Sequence, residues 1–591
     1  MDAFLDIEAS LTGRQWRLTE TDRRMAEQIS QRLSLPEVLG RVLAARQIGI
    51  DGVESFLNPT LRDLMPDPYH LLDMDKAATR LAQAVRQSET IGLFGDYDVD
   101  GATSAALLQR YFAALGTPTL VHIPDRMAEG YGPNAPALLH LKRRGAMVVV
   151  TVDCGITAFE PLAAAKEAGI EMIVVDHHEA EAALPQAYAI VNPNRLDETS
   201  PHGQLAAVGV AFLLVVAVQK ALRESGWFSH SGRTPPDLMQ WLDIVALGTV
   251  CDVVPLTGVN RALVAQGLKV MARRANAGIA ALADLAGVSE RIEAFHLGYM
   301  LGPRVNAGGR VGQADLGVRL LATDDPSEAA DIAHRLDQYN RERQEIEAQA
   351  LAAAIDQVEG CTDDGAPLII AAADDWHPGV IGIVAGRLKE RYGRPACVVA
   401  FDAKGEGKGS GRSVPGLDLG GAVIAARQAG LLVKGGGHAM AAGFTVLRER
   451  LPELQEFLAE RLRAQLVGPL KPLLQLDGAL DPAGATMELV ETLSRLAPFG
   501  SGNSEPRFAL VEARISAPRI VGNNHVACTL SGRNGGRLKA IAFRSADTDL
   551  GQALLANDGT PLHVAGTLRI DTWQGRHAVQ MFIEDAAPIR G

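Results

Sequence analysis

Between residues 88 and 255, short apolar runs alternate with longer stretches of mixed polarity. The runs at 91–94, 119–123, 146–152, 171–175 and 189–191 read as buried strands, and 102–115 as an amphipathic helix. Alternation of this kind predicts a mostly parallel sheet with helices on both faces. A second α/β unit is expected from the strand 368–371 to about 447, with glycine-rich turns. Between the two, 326–358 reads as a long polar helix. Its run Arg341-Glu342-Arg343-Gln344-Glu345 is charged nearly all round, which suits an exposed helix bridging two domains. Beyond about 472 the pattern changes to short runs at 514–521, 525–530, 538–543 and 563–570, separated by Asn-Asn, Asn-Gly-Gly and Gln-Gly turns. That is the signature of a small antiparallel barrel, with an OB-fold the leading candidate. Residues 1–85 read as helical and peripheral. The expected fold class is therefore α/β, and the expected organisation is a helical region 1–85, a parallel-sheet domain 86–310, a connecting helix 311–362, a second α/β domain 363–470 and a barrel 471–591.

Composition narrows the class of molecule. A chain of 591 residues is too long for one core, and 47% hydrophobic content is ample for several. The apolar stretch 205–218 is too short to span a bilayer and is expected as a buried helix. The acidic amino terminus lacks the basic region of a signal peptide. Five scattered cysteines without a C-x-x-C pair argue against a disulfide framework or a zinc ribbon and fit the reducing cytoplasm. Net charge is −13, so any nucleic-acid surface must be a local groove lined with arginine.

Four acidic signals stand at comparable positions. Gly95-Asp96-Tyr97-Asp98-Val99-Asp100-Gly101 follows one predicted strand and precedes a helix. Three carboxylates at alternate positions repel one another unless cations neutralise them. A calcium loop of similar spacing would close with Glu, but position 107 is Leu. Asp153 ends a second strand, Asp176-His177-His178 ends a third, and Asp252 follows an apolar helix. Any one of these reads as a cap or a solvated turn. Four together, offering oxygen and imidazole donors without thiolates, point to manganese or magnesium rather than zinc. Two such ions can activate a water and stabilise both oxygens of a phosphoryl displacement.

An ordered series of motifs resembles the DHH phosphoesterase superfamily over almost the whole length. It comprises Phe56-Leu57-Asn58-Pro59, the two aspartate loops, Asp176-His177-His178, Gly248 to Leu256, Arg304 to Arg310, Gly409 to Ser413, Gly435 to Gly443 and Pro498 to Asn503. The resemblance implies a DHH phosphoesterase domain, a DHH-associated domain and the terminal OB-fold. It implies that Asp98, Asp100, Asp153, His177 and Asp252 hold two divalent cations, Mn2+ or Mg2+, with Asp153 bridging and Asp96 a further ligand. His178 then faces the scissile phosphate. Small-substrate branches of the superfamily carry a histidine four residues before the first liganding aspartate. Phe94 stands there in this chain, which favours the exonuclease branch.

Recognition of the strand is expected from Gly409-Ser410-Gly411-Arg412-Ser413, read as a phosphate-cradling loop, and from Arg304, Asn306 and Arg310 around a second compact turn. Arg126 is expected as a backbone contact, and the family pattern makes His438 a phosphate contact. Tyr131, Trp376 and Phe499 are candidates for base stacking or for core, with core ranked first for Phe499. The implied activity is a 5′-to-3′ exonuclease releasing mononucleotides from single-stranded DNA in recombination and repair, beside single-strand-binding protein and a helicase. The rivals are a small-substrate phosphodiesterase or pyrophosphatase and an inactive single-strand-binding scaffold.

Overall fold

The computed structural model describes residues 3–360, 366–466, 468, 471–571 and 577–589. The expected borders at 362/363 and 470/471, Cys361 and the Gln574-Gly575 turn fall on residues outside that set. The chain forms two compact units. One comprises Met1–Thr12, Trp16–Gln338 and Gln475–Gly591, and the other Gly13–Gln15 and Tyr339–Leu474.

The first unit contains a five-stranded, all-parallel sheet. Its strands are β1 (Thr90–Gly95), β2 (Thr119–His122), β3 (Ala146–Val152), β4 (Glu171–Val175) and β5 (Ala189–Val191), in the order β2-β1-β3-β4-β5. Central strands of such a sheet are covered on both faces, which is why Val148, Val149 and Val150 form an unbroken apolar run, all fully buried. The order reverses between β1 and β3, and open α/β sheets bind ligands beyond the carboxyl ends of strands at such a point. The apolar stretch near 205 lies in the buried helix Ala207–Glu224, as expected. Among the described residues, no helix is long and apolar enough to cross a membrane.

The same unit contains the closed barrel. With β6–β10 kept for the second unit described below, the barrel strands are β12 (Arg507–Val521), β13 (His525–Ser531), β14 (Arg537–Ala542), β15 (Leu562–Asp571) and β16 (Ala578–Pro588), and β11 (Gly478–Leu480) adds a parallel edge to β12. The order is β11-β12-β13-β14-β16-β15, closed by pairing of β12 with β15. β12 serves two partners because its register shifts between Leu510 and Ala513 and again between Ser516 and Arg519. Glu512 and Ala517 take positive φ at those bends. Residues 23–57 are not peripheral. Ile29, Leu39, Leu43 and Phe56 share one core with Phe508, Leu510, Val526, Leu530 and Val564 of the barrel.

The second unit is built on β6 (Ile369–Ala373), β7 (Ala396–Phe401), β8 (Glu406–Arg412), β9 (Lys434–His438) and β10 (Ala441–Leu447), in the order β9-β10-β8-β7-β6. Only β6 and β7 are parallel. Gly409 to Arg412, expected as a loop, lies in β8. A Cβ on Gly409 would stand 2.2 Å from the Phe444 ring, and one on Gly411 2.6 Å from Leu419. These glycines make room for a packed face rather than for a turn. The long helix Pro326–Glu359 is present, and the division between the units falls within it.

Candidate metal centre

Each acidic signal is held at a strand or helix end by the backbone. The Asp96, Asp153 and Asp176 amides donate to Val152 O (3.3 Å), Val175 O (3.0 Å) and Val191 O (3.1 Å), so each extends the parallel ladder by one rung. Asp98 caps the helix Val99–Ala114 by accepting from Gly101 N at 3.0 Å. Gly101 is needed there, since a Cβ would lie 2.5 Å from Asp96 O. Buried Asp100 accepts from Ala207 N (2.6 Å) and Val208 N (2.9 Å), at the positive end of the helix Ala207–Glu224. Asp252 follows the helix Leu242–Cys251. A Cβ on Gly248 of that helix would meet Thr103 Oγ1 at 2.2 Å, so this glycine lets the Asp252 helix approach the Asp100 helix. Asp153 has φ +61°, and Val253, beside Asp252, has φ +63°. A β-branched residue in that region is strained, and the surrounding structure must hold it there.

The side chains converge. Three groups, Asp153–His177–His178, Asp100–His177–Asp252 and Asp96–Asp98–Asp153, each bring three ligand atoms within 4.8 Å of one another. Asp153 and His177 are each common to two groups. His177 Nε2 is 3.3 Å from Asp153 Oδ1 and 3.9 Å from Asp100 Oδ2, and its Nδ1 is 3.6 Å from Asp252 Oδ2. The buried atoms Asp96 Oδ1, Asp153 Oδ1, His177 Nε2 and Asp252 Oδ2 have no hydrogen-bond partner. Burial and then Asp98 push the Asp96 and Asp153 carboxyls well above their ordinary range. Asp100 rises to about 7, through burial and Asp98, and Asp252 to about 9, through burial and Asp100. Burial, then His178, lowers His177 to about 4, which leaves its imidazole neutral as a metal ligand must be. Unpartnered oxygens, mutual repulsion and a neutral imidazole are what a divalent cation would relieve, so the residues fit one.

The sequence reading missed the groups that orient these side chains. Asp176 is fully buried. Its Oδ2 accepts from Ile156 N (3.0 Å), and its Oδ1 from His177 N (2.8 Å), His178 N (3.2 Å) and His178 Nδ1 (2.7 Å). Burial opposes its charge, but the His178 hydrogen bond and the amides hold it below the ordinary carboxylate range. His178 is correspondingly raised: burial works against its charge, and Asp176 outweighs it. Asn192 donates to His178 O at 2.9 Å, and Asn194 to His177 O. Orientation by outer partners of this kind is how ligand geometry is kept. Cys154 is buried and Cys251 donates to Leu297 O at 3.4 Å, and neither thiol is in the three donor groups.

The expected strand contacts fare unevenly. Arg126 lies 5.1 Å over the Tyr97 ring. Tyr97 meets Tyr131 edge-on, and the Tyr131 hydroxyl donates to Asp153 O at 3.3 Å, which brings both to the rim of the acidic cluster. Arg304, Asn306 and Arg310 lie on the helix Gly302–Val311, not in a turn. A Cβ on Gly309 would stand 2.3 Å from Tyr97 O, so that helix is pressed onto the aspartate loop. Arg304 pairs with Asp337 Oδ1 at 2.9 Å and donates to Met300 O. Arg310 and Asn306 are half-buried. In the second unit, Arg412 pairs across the sheet with Ala441, and Ala441 with His438. Ser410 lies two residues before Arg412 on the same face, and Arg412 Nη1 is 3.2 Å from Ser410 Oγ. Ser413 is not available to a ligand: it is fully buried and its hydroxyl donates to Leu417 O at 2.9 Å. Trp376 and Phe499 pack against apolar cores. The exposed aromatics that sequence reasoning passed over are Tyr299, stacked on Phe295 with centroids 5.0 Å apart, and Phe543, edge-on to Phe582 at 5.0 Å.

The chain matches three family models: the DHH family N-terminal domain over 90–249, the DHHA1 domain over 365–464 and the RecJ OB domain over 476–585. It is 37% identical to the single-stranded-DNA-specific exonuclease RecJ of Escherichia coli (strain K12), over 94% of this chain and 96% of that protein. The crystal structure of RecJ from Thermus thermophilus in complex with Mn2+ is similar with a TM-score of 0.80 at 30% identity, over 98% of this chain and 80% of that one. The Mg2+ complex of the Thermus protein gives 0.75 at 29% identity, over 98% and 79%.

Proposed function

The chain belongs to the RecJ family of single-stranded-DNA-specific exonucleases, and from that membership we propose that it removes 5′ mononucleotides from single-stranded DNA in the 5′-to-3′ direction, using two divalent cations, Mn2+ or Mg2+. The observation that carries this reading is the sharing of Asp153 and His177 between overlapping ligand groups whose inward atoms lack partners. Asp98, Asp100, Asp153, His177 and Asp252 would hold the pair, with Asp153 shared between the ions and Asp96 a further ligand. When bound, the cations would activate a water and neutralise charge on the attacking and leaving oxygens. Asp100 is oriented in advance by the two amides it accepts. His178 keeps Nδ1 on Asp176, so its Nε2 would donate to an oxygen of the scissile phosphate.

Arg126 and Arg310 supply positive charge for the strand backbone at the rim. Ser410, Arg412 and His438 would anchor the 5′ phosphate. They share one sheet face, beside Gly382 at the start of the helix Ile381–Tyr392, and amides at such an end favour an anion. Bases would stack on Tyr299 and Phe295 and continue over the barrel. There Arg569 lies 5.9 Å from the Phe295 ring and 5.0 Å from the Phe582 ring, and His525 meets Phe543. Lys539 adds a cation to that face, in a cross-strand row with Gln580 and with Arg569, whose guanidinium is paired with Glu505. The enzyme would serve recombination and repair in the cytoplasm, beside single-strand-binding protein and a helicase.

The test is direct. Purified protein with Mn2+ is incubated with 5′-phosphorylated single strands, duplexes, cyclic dinucleotides and pyrophosphate. Mononucleotides from single strands alone support the reading. Phosphate from pyrophosphate moves it to a small-substrate hydrolase, and binding without cleavage to a scaffold.

A further inference from the structure

Arg261 lies fully inside the first unit, and no carboxylate pairs with it among the described residues. Its guanidinium is instead enclosed by main-chain oxygens. Nε donates to Phe56 O at 2.8 Å, Nη1 to Pro498 O at 3.3 Å, and Nη2 to Leu496 O at 2.9 Å and Ala497 O at 2.7 Å. The cation also sits 3.9 Å over the Phe56 ring. A buried charge without a counter-charge is costly, and four carbonyls and an aromatic face offset that cost only if all are held in place.

These contacts join three segments that are distant in sequence. Arg261 is on the helix Gly258–Met271, which begins soon after Asp252. The segment between them is pinned from the far side. Leu256 N donates to Ser501 O at 2.8 Å, and Asn260 donates to Pro255 O at 3.1 Å. Gly500 and Gly502 are pressed onto it: a Cβ would lie 2.7 Å from Leu256 Cδ1 and 2.9 Å from Pro255 Cβ, respectively. Asn503 closes the loop on itself by donating to Leu496 O at 2.9 Å and Pro498 O at 2.7 Å. Gln266 of the same helix donates to Pro59 O. Phe56 to Pro59 and Pro498 to Asn503, two motifs with no part in the chemistry, thus meet at one arginine. Val253 lies at positive φ just where this pinned segment begins.

We propose that Arg261 is a positioning residue for Asp252. By gripping the loop 496–503 it fixes the segment 252–256, and with it the cation affinity of the Asp100–His177–Asp252 group, while leaving the Asp96–Asp98–Asp153 group unaffected. The inference rests on the two-cation reading above and assigns the loop before the barrel to the scaffold of one cation site.

The test is Mn2+ titration of the full-length protein by calorimetry and electron paramagnetic resonance, for wild type, Arg261→Lys, Arg261→Met and Gly502→Ala. Lysine keeps the charge but cannot reach four oxygens. In each variant one Mn2+ site should weaken by about tenfold or more while the other stays within about twofold, and raised Mn2+ should restore kcat. Should the Arg261 variants fail to fold by circular dichroism, Gly502→Ala carries the same expectation, because its Cβ displaces Pro255. Equal weakening of both sites, or no weakening of either, overturns the proposal. A wild type that binds no Mn2+ removes the metal reading itself and this inference with it.

Discussion

The acidic loops of the first sheet and the glycine-rich strands of the second sheet are built on opposite principles. In the first, Asp96, Asp98, Asp100, Asp153 and Asp252 collect charge that the fold alone cannot neutralise, and burial, with repulsion from neighbouring carboxylates, raises Asp96, Asp100, Asp153 and Asp252 above the ordinary range. In the second, Gly409 and Gly411 remove side chains so that Phe444 and Leu419 can pack close, leaving Ser410 and Arg412 on the opposite face. One region stores electrostatic tension for a ligand to relieve, and the other is tightly packed to display a few donors. A pattern of acids is therefore informative about chemistry, whereas a pattern of glycines is informative first about space.

The sharpest way to break this contrast is Asp153→Ala. Losing the carboxylate common to two ligand groups should lower cleavage by about four orders of magnitude, while single-strand binding in a gel-shift assay stays close to wild type. Near-normal turnover would rule out the shared role. Arg412→Ala should reduce the preference for a 5′-phosphorylated over a 5′-hydroxyl end by about tenfold, with Mn2+ binding unchanged. Equal use of both ends by the wild type would remove that assignment. Gly409→Ala should destabilise by about 1–3 kcal/mol through overpacking against Phe444, read as a lower midpoint in urea, without altering Mn2+ affinity. If the midpoint holds, Gly409 is not there to make room for Phe444.

The smallest effect is a pH dependence. In the metal-free protein Asp100 and Asp252 titrate near about 7 and about 9, above the ordinary 3.8. The folded state then holds protons that the unfolded state has released, so these groups favour the fold at low pH, and that contribution is lost as pH rises through 7 and 9. Bound Mn2+ cancels the loss. The Tm difference between Mn2+-loaded and chelator-treated protein should therefore widen from pH 6 to pH 9. A gap that narrows would contradict the raised carboxyls.

Much of the first sheet was legible because parallel strands are buried on both sides and therefore spell near-continuous apolar runs, as 146–152 does. The barrel was legible through its turns, although β11 and β16 escaped notice. The acidic cluster was legible because acids at successive strand ends have few structural uses. What stayed hidden depends on long-range closure. Asp176 looks like one more candidate ligand until its amide and imidazole partners are seen, and Asn192 and Asn194 look like loop residues. Arg304 gives no sign that Asp337 claims it. Gly308 and Gly309 suggest a turn, yet Tyr97 and Gln313 press against a helix there.

The apolar cluster that joins residues 23–57 to the barrel has a consequence for biogenesis. Ile29, Leu39 and Leu43 leave the ribosome long before Val526 and Val564, strand residues of the same core. Until then a nascent chain must carry greasy helices without a roof, which invites chaperone capture and slows maturation. Clipping the last strands would leave that early segment bare, so degradation from the carboxyl end should drive aggregation rather than release a trimmed enzyme.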